Sequence, residues 1–143
     1  MKRKHLPPPP HRGVYTRLAP SPLHGVGVFA VRPIKKGTKL FGDDNAALVP
    51  MKRSRITRLS PGIRRLYTDF CIIQAKGELY LCPNNFNQMT VSWYLNHSTK
   101  PNVRCDRDFN FYSLRQIKTG EELTVDYDSY NEFPNEHDGF KGG

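Results

Sequence analysis

Three short stretches of this 143-residue chain carry residue types that could do chemistry. The first, Gly25-Val26-Gly27-Val28-Phe29-Ala30, leaves the backbone from His24 to Gly27 bare enough for a ligand to approach closely. It formally fits the G-x-G-x-x-A dinucleotide pattern, but that motif must follow a buried strand and open a helix. Here Ala19-Pro20-Ser21-Pro22 precedes it and β-formers ending at Pro33 follow. The second stretch, Asn96-His97-Ser98-Thr99-Lys100-Pro101-Asn102, packs amide, imidazole and hydroxyl groups into turn-forming residues. The third, Gly120-Glu121-Glu122-Leu123-Thr124-Val125-Asp126-Tyr127, is a turn and strand ending on an acid and a phenol. Alone, each has an ordinary explanation: a strand bulge, a turn with satisfied side chains, a core aromatic.

Proline and glycine punctuation sets the elements that must position these groups. Val14 to Leu18 alternates as a strand until Pro20 and Pro22 break it, Val26 to Val31 resumes it, and Lys36-Gly37 turns into Thr38 to Phe41. Residues 45–68 carry Lys52, Arg53, Arg55, Arg58, Arg64 and Arg65 with no acid between Asp44 and Asp69, and read as short helices interrupted at Pro61-Gly62. Asp69 to Gln74 and Glu78 to Cys82 flank Ala75-Lys76-Gly77 as a hairpin. Met89 to Leu95 reads as one helical turn, and 102–106, 110–115 and 122–127 as short strands. Laid on itself, the chain repeats: residues 28–40 match 111–123, with Arg32, Ile34, Lys35, Gly37 and Leu40 identical to Arg115, Ile117, Lys118, Gly120 and Leu123. Two copies of strand, glycine turn and strand suggest a pseudo-symmetric β fold split by the basic insert. Chance similarity between two ordinary hairpins is the rival.

Composition bounds the rest. With 37% apolar residues the chain supports one domain with a modest core, and 12 Pro with 11 Gly argue against a helical bundle. Lys and Arg number 22 against 13 acids, a net charge of +9 that favours polyanionic partners or anionic cofactors. Cys71, Cys82 and Cys105 have neither the spacing nor the companions of a zinc site, so no metal is expected, and their odd number excludes a disulfide framework. No apolar run approaches the ~20 residues of a membrane span, and the start MKRKHLPPPPHR lacks the apolar stretch of a secretory signal. The expected setting is a reducing interior: cytoplasmic, or nuclear in a eukaryotic cell. Residues 1–13 form a basic, proline-rich tail, and 131–143 an acidic one.

Taken together and in this order, the glycine pair, Asn-His-Ser with Pro-Asn, and Glu-Glu-Leu-Thr-Val-Asp-Tyr resemble the SET domain of protein-lysine methyltransferases, over about residues 14–130. The resemblance implies a mainly β, β-clip-like fold of several small curved sheets, with a short helical insert at about 45–68 and a C-terminal pseudoknot. It implies S-adenosylmethionine as cofactor, leaving as S-adenosylhomocysteine. His24, Gly25, Val26, Gly27, Asn96 and His97 match its binding positions, and Tyr127 matches the catalytic tyrosine. Tyr130, Phe41 and Cys105 fall at or near substrate-channel positions, with an altered aromatic set at the sites that limit methyl number. The Cys-rich zinc flanks of many histone methyltransferases are missing and Thr99 stands where Cys is often found. Something else must close the channel; the acidic tail, through Tyr130, Phe133 and Phe140, or a partner subunit is the candidate.

The implied activity is methyl transfer to the side-chain amine of lysine in a protein, one that is basic or associated with nucleic acid. The basic insert and N-terminal tail would then contact the polyanion, no membrane is involved, and a homodimer is open. The rival is a nucleic-acid or protein binding module with a degenerate cofactor site. A pure binder has no need for Asn96, His97 and Tyr127 together.

Overall fold

The alternating residues after Val14 form a hairpin. In the computed structural model, which describes residues 6–10, 13–42 and 48–132, β1 (Thr16–Pro20) and β2 (Val26–Ala30) pair antiparallel from Thr16↔Ala30 to Pro20↔Val26. The strand thus runs through Pro20 instead of breaking before it. Pro20 is tolerated because it is the last residue of an edge strand, where the ladder can do without its N–H.

The insert departs further from expectation. It opens with a strand, β3 (Val49–Lys52), then a single turn α1 (Arg53–Ile56) and the helix α2 (Pro61–Phe70). Pro61 begins this helix rather than interrupting one: at the first helical position its absent N–H costs no intrahelical bond. The expected hairpin follows as β4 (Ile72–Gln74) and β5 (Leu79–Cys82), with Asp69 and Phe70 still helical and Ala75, Lys76 and Gly77 all at positive φ in the turn. β5 lies between β3 and β4 in a three-stranded sheet, over a small core of Ile56, Cys71, Ile73, Tyr80 and Cys82. The basic side chains stay outside: Arg53, Arg55, Arg58 and Arg65 are exposed, with Arg53 paired to Glu78 at 3.9 Å and Arg65 to Asp69 at 3.6 Å.

The larger sheet assembles the remaining strands. The short β6 (Asn96–His97) follows a 3-10 turn at Val91–Tyr94, then come β7 (Val103–Cys105), β8 (Phe111–Ser113) and β9 (Glu122–Val125). Its order is β1-β2-β9-β7-β8, and β6 and β7 both pair parallel to β9. β9 therefore brings the third sequence stretch beside the other two. The strand expected at 38–41 does not form; Lys39 makes a single bridge to Tyr112.

The internal repeat folds onto itself about a local two-fold. Ile34 and Ile117, equivalent in the two copies, exchange both backbone hydrogen bonds at 2.8 Å and sit at the centre. Around them each bond has its counterpart in the other copy. Gly37 N donates to Ser113 O at 2.9 Å as Gly120 N does to Ala30 O at 2.8 Å. Ser113 N donates to Thr38 O and Ala30 N to Glu121 O, both at 3.0 Å. Chance similarity would not reproduce this correspondence. Val28, Ala30, Ile34 and Leu40 of the first copy and Ile117 and Leu123 of the second, with Leu95, Val103 and Val125, form the main core.

The first two residues of the acidic tail are bonded to the insert. Glu132 N donates to Ile73 O, Ile73 N to Asn131 Oδ1 and Ala75 N to Glu132 Oε1, all at 2.7 Å. Residues 130–132 are thereby laced to β4. Phe133 and Phe140, the remainder of the acidic tail, and residues 1–5 and 11–12 lie outside the described residues.

Candidate active site

The parallel pairing of β6 with β9 sets Asn96 opposite Thr124 and His97 opposite Val125, three and two residues before Tyr127. Asn96 is buried, and its amide nitrogen faces three acceptors: His24 O at 3.0 Å, Val26 O at 3.2 Å and Glu122 Oε2 at 2.8 Å. One side chain thus ties together all three sequence stretches. The Glu122 carboxylate is also held by Ser21 Oγ, which lies 2.7 and 2.9 Å from its two oxygens. The same hydroxyl accepts from Leu23 N at 3.0 Å and His24 N at 3.4 Å, shaping the turn into Gly25.

The two glycines do different things. Gly25 takes φ +47°, where a side chain is strained, and open space lies where its Cβ would be. Gly27 was expected to clear a path for a ligand. Instead, a Cβ there would come within 2.2 Å of Glu122 Oε2 and 3.1 Å of Asn96 Nδ2, so its bareness is taken up by the chain itself. Val26, between them, is 45% exposed. The accessible backbone at this end of β2 is therefore His24 to Val26.

His97 and Tyr127 interlock. Tyr127 N donates to His97 Nδ1 at 3.0 Å, so the neutral ring carries its proton on Nε2. Asp126 Oδ1 lies 3.7 Å from the same Nδ1. The Tyr127 hydroxyl donates to Leu95 O, immediately before Asn96. Burial, then the nearby Glu122 charge, pushes the Tyr127 phenol up to about 12. It is a neutral hydroxyl throughout the physiological range.

The three channel candidates converge on Tyr127 through a residue the sequence reading passed over. Tyr127 meets Tyr130 edge-on at 6.2 Å between centroids, Tyr130 meets Phe111 at 6.2 Å, and Phe111 meets Phe41 at 5.8 Å. Cys105 is opposite Phe111 across β7 and β8. Burial raises Tyr130 well above an ordinary phenol, with Tyr127 and Cys105 adding to it, and raises the Cys105 thiol to about 12. This is an apolar wall of neutral groups. Besides Phe111, sequence reasoning missed Glu122, Ser21, Asn102 and Asn131. Glu122 stood in plain view within the third stretch, and its place after the glycine turn, at the start of a strand, was the one available signal.

Asn102 and Asn131 hold the frame. Buried Asn102 donates to Glu122 O and accepts from Thr124 N, both at 2.8 Å, pinning β9. Asn131 Nδ2 donates to Tyr127 O at 2.9 Å while its Oδ1 takes the bond from β4.

A sequence profile of the SET domain matches residues 25–128, and the chain belongs to the SET domain family. A SET domain-containing protein of Acanthamoeba polyphaga mimivirus is 36% identical over 85 residues, which cover 54% of this chain and 33% of that one. The Chaetomium thermophilum Polycomb Repressive Complex 2, in an autoinhibited conformation bound to S-adenosylmethionine, includes a chain that superposes with a TM-score of 0.57 at 20% identity. A humanized mutant of that complex, bound to an inhibitor, superposes at 0.56 with 22% identity; in both, the match covers 86% of this chain and 16% of the other. At such identities the likeness speaks for the fold, a mostly β architecture of small sheets with few helices. The chain spans about a third of the viral relative and far less of the fungal one. The family is typical of S-adenosylmethionine-dependent protein-lysine methyltransferases. Among the described residues, no helix is long and apolar enough to cross a membrane.

Proposed function

We propose that this chain transfers the methyl group of S-adenosylmethionine to the side-chain amine of lysine in a protein. The observation that carries the reading is the meeting of the Tyr127 hydroxyl, the Asn96-His97 strand and the open backbone at His24–Val26 in one place. The residues fit the cofactor. Gly25 and the exposed end of β2 leave room for it, and the Asn96 nitrogen is fully committed, which leaves Oδ1 as its free polar atom among the described contacts. His24 to Val26, Asn96 and His97 would hold it. When bound, S-adenosylmethionine supplies an electrophilic methyl carbon on a positively charged sulfur.

The chain's own residues then account for the rest. Lysine in water, with a pKa of about 10.4, has almost no free lone pair. The wall of Tyr127, Tyr130, Phe111 and Phe41 strips water from a side chain entering there and disfavours its ammonium form. By donating to Leu95 O, Tyr127 turns its oxygen lone pairs away from that carbonyl, free to receive an amine N–H or a weak C–H bond. Held rigidly, these groups act by alignment and preorganised dipoles, with no covalent attachment to the enzyme.

Labelling a host lysate with tritiated-methyl S-adenosylmethionine tests this. Wild type should deposit label on lysine, and Tyr127→Phe should lower it by about 10²-fold, the scale of a lost alignment. Absence of label above background with wild type, while the protein is folded, overturns the reading and favours the binding module. Equal labelling by Tyr127→Phe removes the tyrosine from the mechanism.

A further inference from the structure

Glu122 takes no part in the proposed transfer step, yet its carboxylate stands at the site's centre of hydrogen bonding. It begins β9, is half-buried, and fills the space that a side chain at Gly27 would need. Two donors converge on it, Ser21 Oγ and Asn96 Nδ2, the second at 2.8 Å. An amide turned the other way would set Asn96 Oδ1 against a carboxylate and two carbonyls, an arrangement of acceptors only. The carboxylate makes that reversed state the most costly of the three contacts, because the bond it accepts is charge-assisted.

We propose that Glu122 is a positioning residue for cofactor binding: it locks the Asn96 amide so that Oδ1 faces outward as an acceptor for the ammonium group of the cofactor's amino-acid end. The inference rests on the reading that this site takes S-adenosylmethionine. Ser21 completes the device. Its hydroxyl holds both carboxylate oxygens and, through Leu23 N and His24 N, sets the turn whose carbonyls face the same amide. Glu122, 26 residues after Asn96, thereby couples the glycine turn to that amide without needing to touch the ligand.

Calorimetric titration of the full chain with S-adenosylmethionine and with S-adenosylhomocysteine, for wild type, Glu122→Ala and Glu122→Gln, tests the role. Glu122→Ala should weaken both ligands by at least about tenfold, or about 1.4 kcal/mol, because both carry the same amino-acid end. Glu122→Gln keeps an oxygen acceptor for Asn96 and should recover most of the loss. Ser21→Ala, which leaves the carboxylate and Asn96 in place, should weaken both by a smaller factor and guards against misfolding of the first variant. In turnover, the loss should appear in KM for S-adenosylmethionine more than in kcat. A Glu122→Ala protein with a lowered melting temperature but wild-type affinity shows a structural residue and overturns the proposal. A loss confined to S-adenosylmethionine shows a charge acting on the sulfonium and overturns it equally. Absence of binding by wild type strikes at the cofactor reading itself, and the proposal falls with it.

Discussion

Tyr127 is buried beside the Glu122 charge, and the combination has a measurable consequence. Its folded pKa of about 12 lies above the ordinary 10.0, so below pH 10 folded and unfolded states both keep the proton and stability is unaffected. Between pH 10 and 12 the unfolded chain ionises first, and stability falls as pH rises. Denaturant unfolding across that window should show a slope shallower in Tyr127→Phe by up to about 1.4 kcal/mol per pH unit. Tyr130, shifted the same way, continues to contribute in the variant. At Gly27 the constraint is steric. A methyl 2.2 Å from Glu122 Oε2 must displace the carboxylate, and Gly27→Ala should lose about 1–3 kcal/mol in chemical denaturation. The identities of these residues were legible because their types are unusual where they stand: glycines between β-formers, a phenol after an acid. The partner of Gly27 was not. Nothing in one dimension says that a carboxylate from residue 122 fills the space beside it.

At the scale of elements, the repeat turned into the frame of the molecule. Its two glycine turns adopt matching conformations, φ +80° at Gly37 and +86° at Gly120, each with open space around a would-be Cβ. Gly37→Ala and Gly120→Ala should therefore each cost about 1–2 kcal/mol, in similar measure, from backbone strain alone. A variant indistinguishable from wild type in thermal or urea unfolding would break the equivalence. Asn102 makes the stronger claim on stability. Asn102→Ala strands Glu122 O and Thr124 N in the interior, and urea unfolding should show a loss of about 2–3 kcal/mol. The leading strand of each repeat, β9 and the 3-10 turn at Val91–Tyr94 could be read from alternation and punctuation, whereas the strand expected at 38–41 is only a single bridge. The insert could not be read as well. Its basic run hides β3, whose Val49 and Met51 are too few to show a period, and proline signals a helix start as readily as a break.

Across the whole molecule, segments far apart in sequence close around one point, and the last of them does so without cysteine. Asn131 bonds the Tyr127 carbonyl and β4 with one amide, so the small sheet of the insert steadies the turn that carries the tyrosine. Asn131→Ala should lower methyl transfer and shift the melting temperature together, whereas a change in stability alone would confine Asn131 to the frame. Among the described residues, Arg53, Arg55 and Arg65 of α1 and α2 are exposed and belong to the insert that carries the small sheet. The proposed cofactor site joins the backbone before Gly27, the Asn96 amide and the Tyr127 hydroxyl. Calorimetric titration with S-adenosylmethionine, wild type against Asn96→Ala at equal folded concentration, addresses it most directly. Saturable one-site heat for the wild type, with affinity lost by tenfold or more in Asn96→Ala, is the expected result. Equal binding by both proteins, or no heat from either, would contradict it.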